Sequence, residues 1–300
     1  PIIHGDYPED LEHMLSSVFV YMRHVIEGRA EAEPDIEART IFQLEENFRM
    51  SEPLTAYPRD VLYKGQYFTQ QPDIRITTRP ELAPDTDDLI DFMLHPDRPV
   101  ILCRYTAPIS FTARNPLEAG LVAQITARLA DILERPGAGT VGDADYFAAE
   151  GFAVLSPHRA QNSTIRGMLE QYGFGQNGRP MPLVDTVDKL QGQERDVVVV
   201  SYGVADEEYA EAEADFLLSS NRFNVATTRP RRKLIVFCSD AVLDVVPQDR
   251  DTLLESMMLK EFRNYCDSGE RVFTRSTDEF GPVELTVHWK EFGSQAQRQG

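Results

Sequence analysis

The polar stretch Gln191-Gly192-Gln193-Glu194 lies just ahead of Arg195-Asp196 and four consecutive valines, Val197–Val200. Four β-branched residues in a row read as a strand buried on both faces. The chain therefore sets a glycine and three polar side chains at the mouth of a rigid support. Such a loop offers a ligand hydrogen-bonding groups and a backbone position without a Cβ. Other polar groups close neighbouring apolar runs: Ser156 after "FAVL", Thr186 after "PLVD" and Tyr105 at the end of "PVILCRY". On a parallel sheet, ligands bind beyond the carboxyl ends of the strands, where these residues are expected.

Cations crowd the same part of the sequence. Arg159, Arg166, Arg179, Lys189, Arg195, Arg222, Arg229, Arg231, Arg232 and Lys233 all fall between Leu155 and Leu234. The net charge of −19 argues against a nucleic-acid partner when taken globally. This clustering nevertheless leaves room for a local basic surface on an acidic body. The acids cluster too, in Asp206–Asp215 and across Pro84–Asp97, and an acidic surface of that kind could dock a protein partner.

Several familiar signals lead elsewhere. "GFGQNG" (Gly173–Gly178) matches the dinucleotide fingerprint but follows a helical pattern and precedes Pro180 and Pro182, so it reads as a helix end and loop. A Rossmann-type oxidoreductase fails on these misplaced glycines. No G-x-x-x-x-G-K-[ST] occurs, so the chain has no phosphate cradle of that type and must borrow one for nucleotide chemistry. The three cysteines include no C-x-x-C pair, which points to buried thiols in a reducing cytoplasm rather than a zinc site or disulfides. No apolar run approaches the roughly 20 residues of a membrane helix.

The elements that must position these groups alternate. Apolar positions Leu11, Met14, Leu15, Val18, Phe19 and Met22 predict a helix over Glu9–Ile26, followed by a polar linker, Gly28–Arg39. Ser51–Tyr67 reads as irregular, with Pro53 and Pro58 breaking regular structure. From residue 85 the pattern becomes α/β. Helices are predicted over Asp85–Leu94, Asn115–Leu133 (with Asn115 as N-cap), Arg159–Tyr172 and Ser219–Thr227. Strands are predicted at Pro99–Tyr105, Phe152–Ser156, "PLVDTV", "DVVVVSY" and "KLIVFCS". The alternation predicts a mostly parallel sheet covered by helices. Asp251–Gly300 shows two weak elements, the first a helix over Thr252–Tyr265, and a polar tail. The domain expectation is a linker helix in 1–38, a main domain in 39–245 and a C-terminal extension in 246–300. The chain opens Pro1-Ile2-Ile3 with neither methionine nor a signal-like segment, and part of the native protein is expected to precede it.

Four stretches in order resemble motifs IV, IVa, V and VI of superfamily 1 helicases. They are "FQLEENFRMSEPLTAYPRDVLY" (Phe42–Tyr63), "VLSPHRAQ" (Val154–Gln161), "DTVDKLQGQERDVVVVS" (Asp185–Ser201) and "FLLSSNRFNVATTRPRRKLIVF" (Phe216–Phe237). The resemblance is to the 5′-to-3′ branch that includes the nonsense-mediated-decay RNA helicase and the replication helicase–nuclease, and it spans about residues 1–240. It implies a RecA-like P-loop NTPase fold, the second of two motor domains over 39–245, with the end of the first motor domain or a linker helix in 1–38 and the rest of the first upstream. ATP and Mg2+, held mainly by that first domain, and single-stranded DNA or RNA are the implied ligands. The chain alone is then expected to hydrolyse no ATP.

In this resemblance Arg49 and Arg229 stabilise charge on the γ-phosphate, a task that suits the planar guanidinium fork. Gln191 and Gly192 edge the nucleotide, Gly192 by letting backbone amides approach the phosphates. Glu194 accepts a hydrogen bond from the ribose. Ser156, His158, Arg159, Gln161 and Thr186 contact nucleic-acid phosphates, with Asp188 capping a helix behind Thr186. Two features depart from the pattern. Pro230 replaces the usual alanine, which biases Arg229 toward an extended conformation and ends the helix there. The acidic block Asp206–Asp215 reads as a solvated loop without a chemical role. The competing expectation is a helicase-like module that docks a partner and has lost motor activity.

Overall fold

The computed structural model describes residues 44–293, apart from 177 and 278, together with Met22 and Ile26, both helical. The rest of the expected N-terminal helix, the linker and the domain boundary near residue 38 lie outside the described residues.

The four valines show how the core is divided. In β6 (Arg195–Ser201), Val197 and Val199 join one apolar cluster while Val198 and Val200 join another. Successive residues of a strand point to opposite faces, so a run of four fills two cores at once. Around it lie β3 (Val100–Tyr105), β4 (Phe152–Leu155), β5 (Leu183–Asp185), β7 (Pro230–Ser239), β8 (Gly269–Thr277) and β9 (Gly281–Lys290), in the order β5-β4-β6-β7-β3-β9-β8. Every neighbouring pair from β5 to β3 is parallel, whereas β9 runs antiparallel to both β3 and β8. The mostly parallel sheet expected from the sequence is present. A separate two-stranded sheet pairs β1 (Glu46–Asn47) with β2 (Phe68–Thr69).

Helices cover both faces. α1 (Glu52–Val61), α2 (Leu89–Leu94), α3 (Pro116–Ile132) and α4 (Arg159–Gln171) are followed by α5 (Glu207–Ala212), α6 (Ala214–Leu217), α7 (Ser220–Thr227) and α8 (Arg250–Tyr265). Leu121 and Leu129 of α3 and Ile165 of α4 pack with Val197. Leu54 of α1, Phe223 of α7 and Phe262 of α8 pack with Val198 on the other face. Asn115 caps α3 as expected, its side chain accepting from Glu118 N, and Pro116 occupies the first turn.

The structure corrects three expectations. Ser51–Tyr67 is not irregular: α1 contains both prolines. Pro53 lies in the first turn, where its missing N–H has no intrahelical partner to lose, and Pro58 removes a single rung near the end. The acidic block is not a loop but the short helices α5 and α6, with Asp206 capping α5 through Tyr209 N. Asp188 caps no helix; it lies inside a 3-10 turn, Val187–Leu190, behind Thr186. The C-terminal segment contributes α8, β8 and β9. Val283, Leu285 and Val287 of β9 are buried in the main core.

Candidate functional site

Arg49 stands in a bend between β1 and α1. The Asn47 carboxamide oxygen accepts from Arg49 N (3.0 Å) and Met50 N (2.8 Å), and Ser51 N donates to Arg231 O (3.0 Å), docking the bend on β7. So placed, Arg49 donates through Nε to Glu194 Oε2 (2.5 Å) and through Nη1 to Thr228 O (2.9 Å). The other Glu194 oxygen accepts from Arg231 Nη1 (3.4 Å). The carboxylate expected to meet a ribose is thus shared between two arginines.

Beneath it, Asp196 is only 1% exposed and accepts from Arg231 Nε (2.8 Å) and Arg232 Nε (2.9 Å) on one oxygen. The Tyr146 hydroxyl donates to its other oxygen. Adjacent strand residues ordinarily face opposite ways, and a bulge makes this convergence possible. β6 pairs Arg195 with Pro230 but Val197 with Lys233, so β7 carries one extra residue at the two arginines. Burial disfavours the Arg231 cation, but the charge and hydrogen bond of Asp196 prevail and raise its pKa above the ordinary value. Asp196, Arg232 and Tyr146 carried no chemical expectation from the sequence; the Arg231-Arg232 doublet was the available signal, and the bulge that aims it was not.

Arg229 occupies the junction between α7 and β7. The helix ends at Thr227 and the strand begins at Pro230, as the proline implied. Its Nε donates to Val225 O (3.1 Å) and its Nη2 to Thr228 Oγ1 (3.3 Å). Burial, and then repulsion from Arg49, lower its pKa. Gln191 and Gly192 are exposed. A Cβ on Gly192 would meet nothing within 4 Å, so the protein itself does not crowd it; its φ of +80° is what requires glycine.

The second group assembles at the carboxyl ends of β4 and β5. Ser156, His158, Arg159 and Thr186 line one cavity of about 330 Å³ together with Phe216 and Arg222. Burial lowers the His158 pKa, with Glu213 opposing. Gln161 does not join them. It is fully buried, accepts from Asn115 N (2.8 Å) and donates to Asn115 O (3.2 Å) and Ser201 Oγ (3.0 Å), so it supports the strand ends from within. Tyr105 also turns inward, donating to Glu118 Oε1 (2.5 Å). The basic run forms no continuous surface either. Lys233 is fully buried against the carbonyls of His95 and Arg98, Arg195 is 8% exposed, and Arg179 is paired with Asp131.

Among the described residues no group of three or more His, Cys, Asp or Glu side chains could hold a metal ion, and no helix is long and apolar enough to cross a membrane. Cys103, Cys238 and Cys266 are buried free thiols, and burial raises each pKa.

Comparison with known proteins agrees with this architecture. A family model described as an AAA domain matches residues 26–241. The chain is 26% identical over 161 residues to the DNA replication ATP-dependent helicase/nuclease JHS1 of Arabidopsis thaliana, covering 52% of this chain and 10% of that protein. It is 26% identical over 204 residues to the DNA-binding protein SMUBP-2 of Rattus norvegicus, covering 67% and 18%. With the probable RNA helicase armi of Drosophila melanogaster it shares 32% identity over 101 residues, covering 32% and 8%. The chain thus spans less than a fifth of the length of each of these relatives. With its parallel sheet and ordered motifs, the chain belongs to the AAA domain family and is a superfamily 1 helicase-like domain of RecA-like fold.

Proposed function

We propose that this chain is the second motor domain of an ATP-dependent DNA or RNA helicase. Arg49 and Arg229 serve as arginine fingers, Gln191, Gly192 and Glu194 edge the nucleotide, and Ser156, His158, Arg159 and Thr186 line the single-strand track. The observation that carries this reading is the convergence of three distant segments: Arg49 bonds both Glu194 and the carbonyl of Thr228, next to Arg229.

These residues suit a triphosphate. The Arg229 cation is disfavoured first by burial and then by repulsion from Arg49, so an anion placed against it would be favoured. The exposed turn at Gly192 leaves its backbone open to a ligand. Bound ATP supplies the phosphoryl group whose transfer drives such a motor. Arg49 and Arg229 would neutralise charge that develops on it, and Glu194 would hold Arg49 in position. A divalent metal has no cluster of acids to hold it among the described residues.

The deciding experiment uses the full-length natural protein. Arg229→Ala is expected to lower ATP turnover by about 10³-fold or more while single-strand binding and folding persist. Unchanged turnover would instead favour a docking module that keeps the fold without the motor.

A further inference from the structure

We propose that the cavity at the ends of β4 and β5 receives one unstacked nucleobase of the bound strand, its face against Phe216 and its edge toward Ser156 and His158. This inference rests on the nucleic-acid reading above and changes what those two residues contact, from phosphate to base.

The walls have the right chemistry. Phe216 is half-buried, with the His158 ring 5.4 Å away between centroids and inclined by 38°. The Arg222 guanidinium lies 4.3 Å from the Phe216 ring centroid. A planar π system can add to such a group, since stacking on aromatic side chains accepts any base. The volume, about 330 Å³, falls at the lower end of small-molecule sites, about 300–1,000 Å³.

Two polar atoms are buried at this cavity without a partner in the protein. Ser156 is 2% exposed and its Oγ has no hydrogen bond; His158 Nε2 is also buried and unbonded. Buried hydroxyl and imidazole groups are normally satisfied, so an unpaired pair lining one cavity points to a polar ligand. Burial favours the neutral form of the His158 ring, with Glu213 opposing, and a neutral ring suits the edge of a base.

A phosphate fits beside Ser156 and His158 less well than beside Arg159 and Arg222, which line the same cavity. Asp188 lines the cavity and Glu213 lies close enough to His158 to act on its charge. A neutral base meets no repulsion from these acids, while the backbone can pass the rim at Arg159 and Thr186. An aromatic side chain from a partner protein would fill the walls but leave Ser156 and His158 unpaired. The acidic segment, whose last helix carries Phe216, thereby acquires a function.

The test compares binding of an oligothymidine and an abasic strand of equal length to the full 300-residue chain, at fixed salt. The unaltered protein is expected to bind the abasic strand about fivefold or more weakly. Phe216→Ala should lower oligothymidine affinity toward the abasic value and leave abasic binding within about twofold, and Phe216→Trp should restore it. A strand containing 2-aminopurine should lose fluorescence on binding unaltered protein and less on binding F216A. Equal affinity for both strands, or an aromatic peptide that competes for the cavity while 2-aminopurine emission stays unchanged, overturns the base pocket and leaves the track reading intact. Failure to bind either strand overturns both. The comparison of strands on unaltered protein decides the matter even if F216A fails to fold.

Discussion

Arg49 and Glu194 are 145 residues apart in sequence and joined by a 2.5 Å contact between Nε and Oε2. The pair ties the bend before α1 to the loop before β6. Glu194 is itself held by Arg231, and Arg231 by buried Asp196, so the aim of Arg49 depends on a chain of ion pairs that ends in the core.

The Arg49–Glu194 pair is partly exposed, with side chains 32% and 39% accessible. Exposed ion pairs contribute about 0.2–1 kcal/mol, so Glu194→Gln should alter urea stability by less than about 1 kcal/mol. On the finger role proposed for Arg49, misaiming it costs far more in rate than in stability, and turnover by the full-length protein should fall about tenfold or more. A large stability loss with unchanged turnover would show that the pair is structural.

Asp196→Ala is expected to act in the opposite proportion. Removing the carboxylate leaves Arg231 and Arg232, about a fifth exposed, without their common partner. The expected cost is about 3 kcal/mol in chemical denaturation. A loss below about 1 kcal/mol would mean that water replaces Asp196 readily.

Glu118 gives a pH signature. It is fully buried and accepts from Ser201 Oγ (2.6 Å), Gly203 N (2.9 Å) and the Tyr105 hydroxyl (2.5 Å). Burial raises its pKa to about 7 from 4.5, with the hydrogen bonds opposing. Between those values the folded chain keeps a proton that the unfolded chain has released. The contribution of this group to stability therefore falls as pH rises through that window and is flat above about 7. The whole drop is at most about 3 kcal/mol. Melting temperatures of unaltered protein and Glu118→Gln, measured from pH 5 to 8, should differ with this slope; parallel curves would rule the assignment out.

Two glycines separate strain from crowding. Gly192→Ala meets only its φ of +80°, a cost of about 1 kcal/mol. Gly203→Ala combines a φ of +71° with a Cβ placed 2.8 Å from Gln161 Cγ, and should cost clearly more in thermal melting. Equal losses would mean that the Gln161 side chain moves aside.

The α/β order, the parallel sheet and the Asn115 cap were legible because each depends on local periodicity or a single side chain. The burial of β6 on both faces was written in its valines. The antiparallel β9 was legible in principle, since Val283, Leu285 and Val287 alternate with polar residues, but nothing local told that it would close against β3. The α1 prolines misled because their effect depends on position within the helix. Gln161 was named through the resemblance, and its burial against Asn115 and Ser201 depends on neighbouring segments that no local pattern announces.

The sequence by itself determined which residues could serve a phosphate or a strand end, since motif order, glycine position and strand pattern are properties of the chain. The partners of those residues were decided only by the tertiary structure. A one-residue bulge turns Arg231 and Arg232 onto the same carboxylate, and packing leaves Ser156 open to a cavity while enclosing Gln161. Burial and charge pairing are sums over segments far apart in sequence, so no local pattern encodes them.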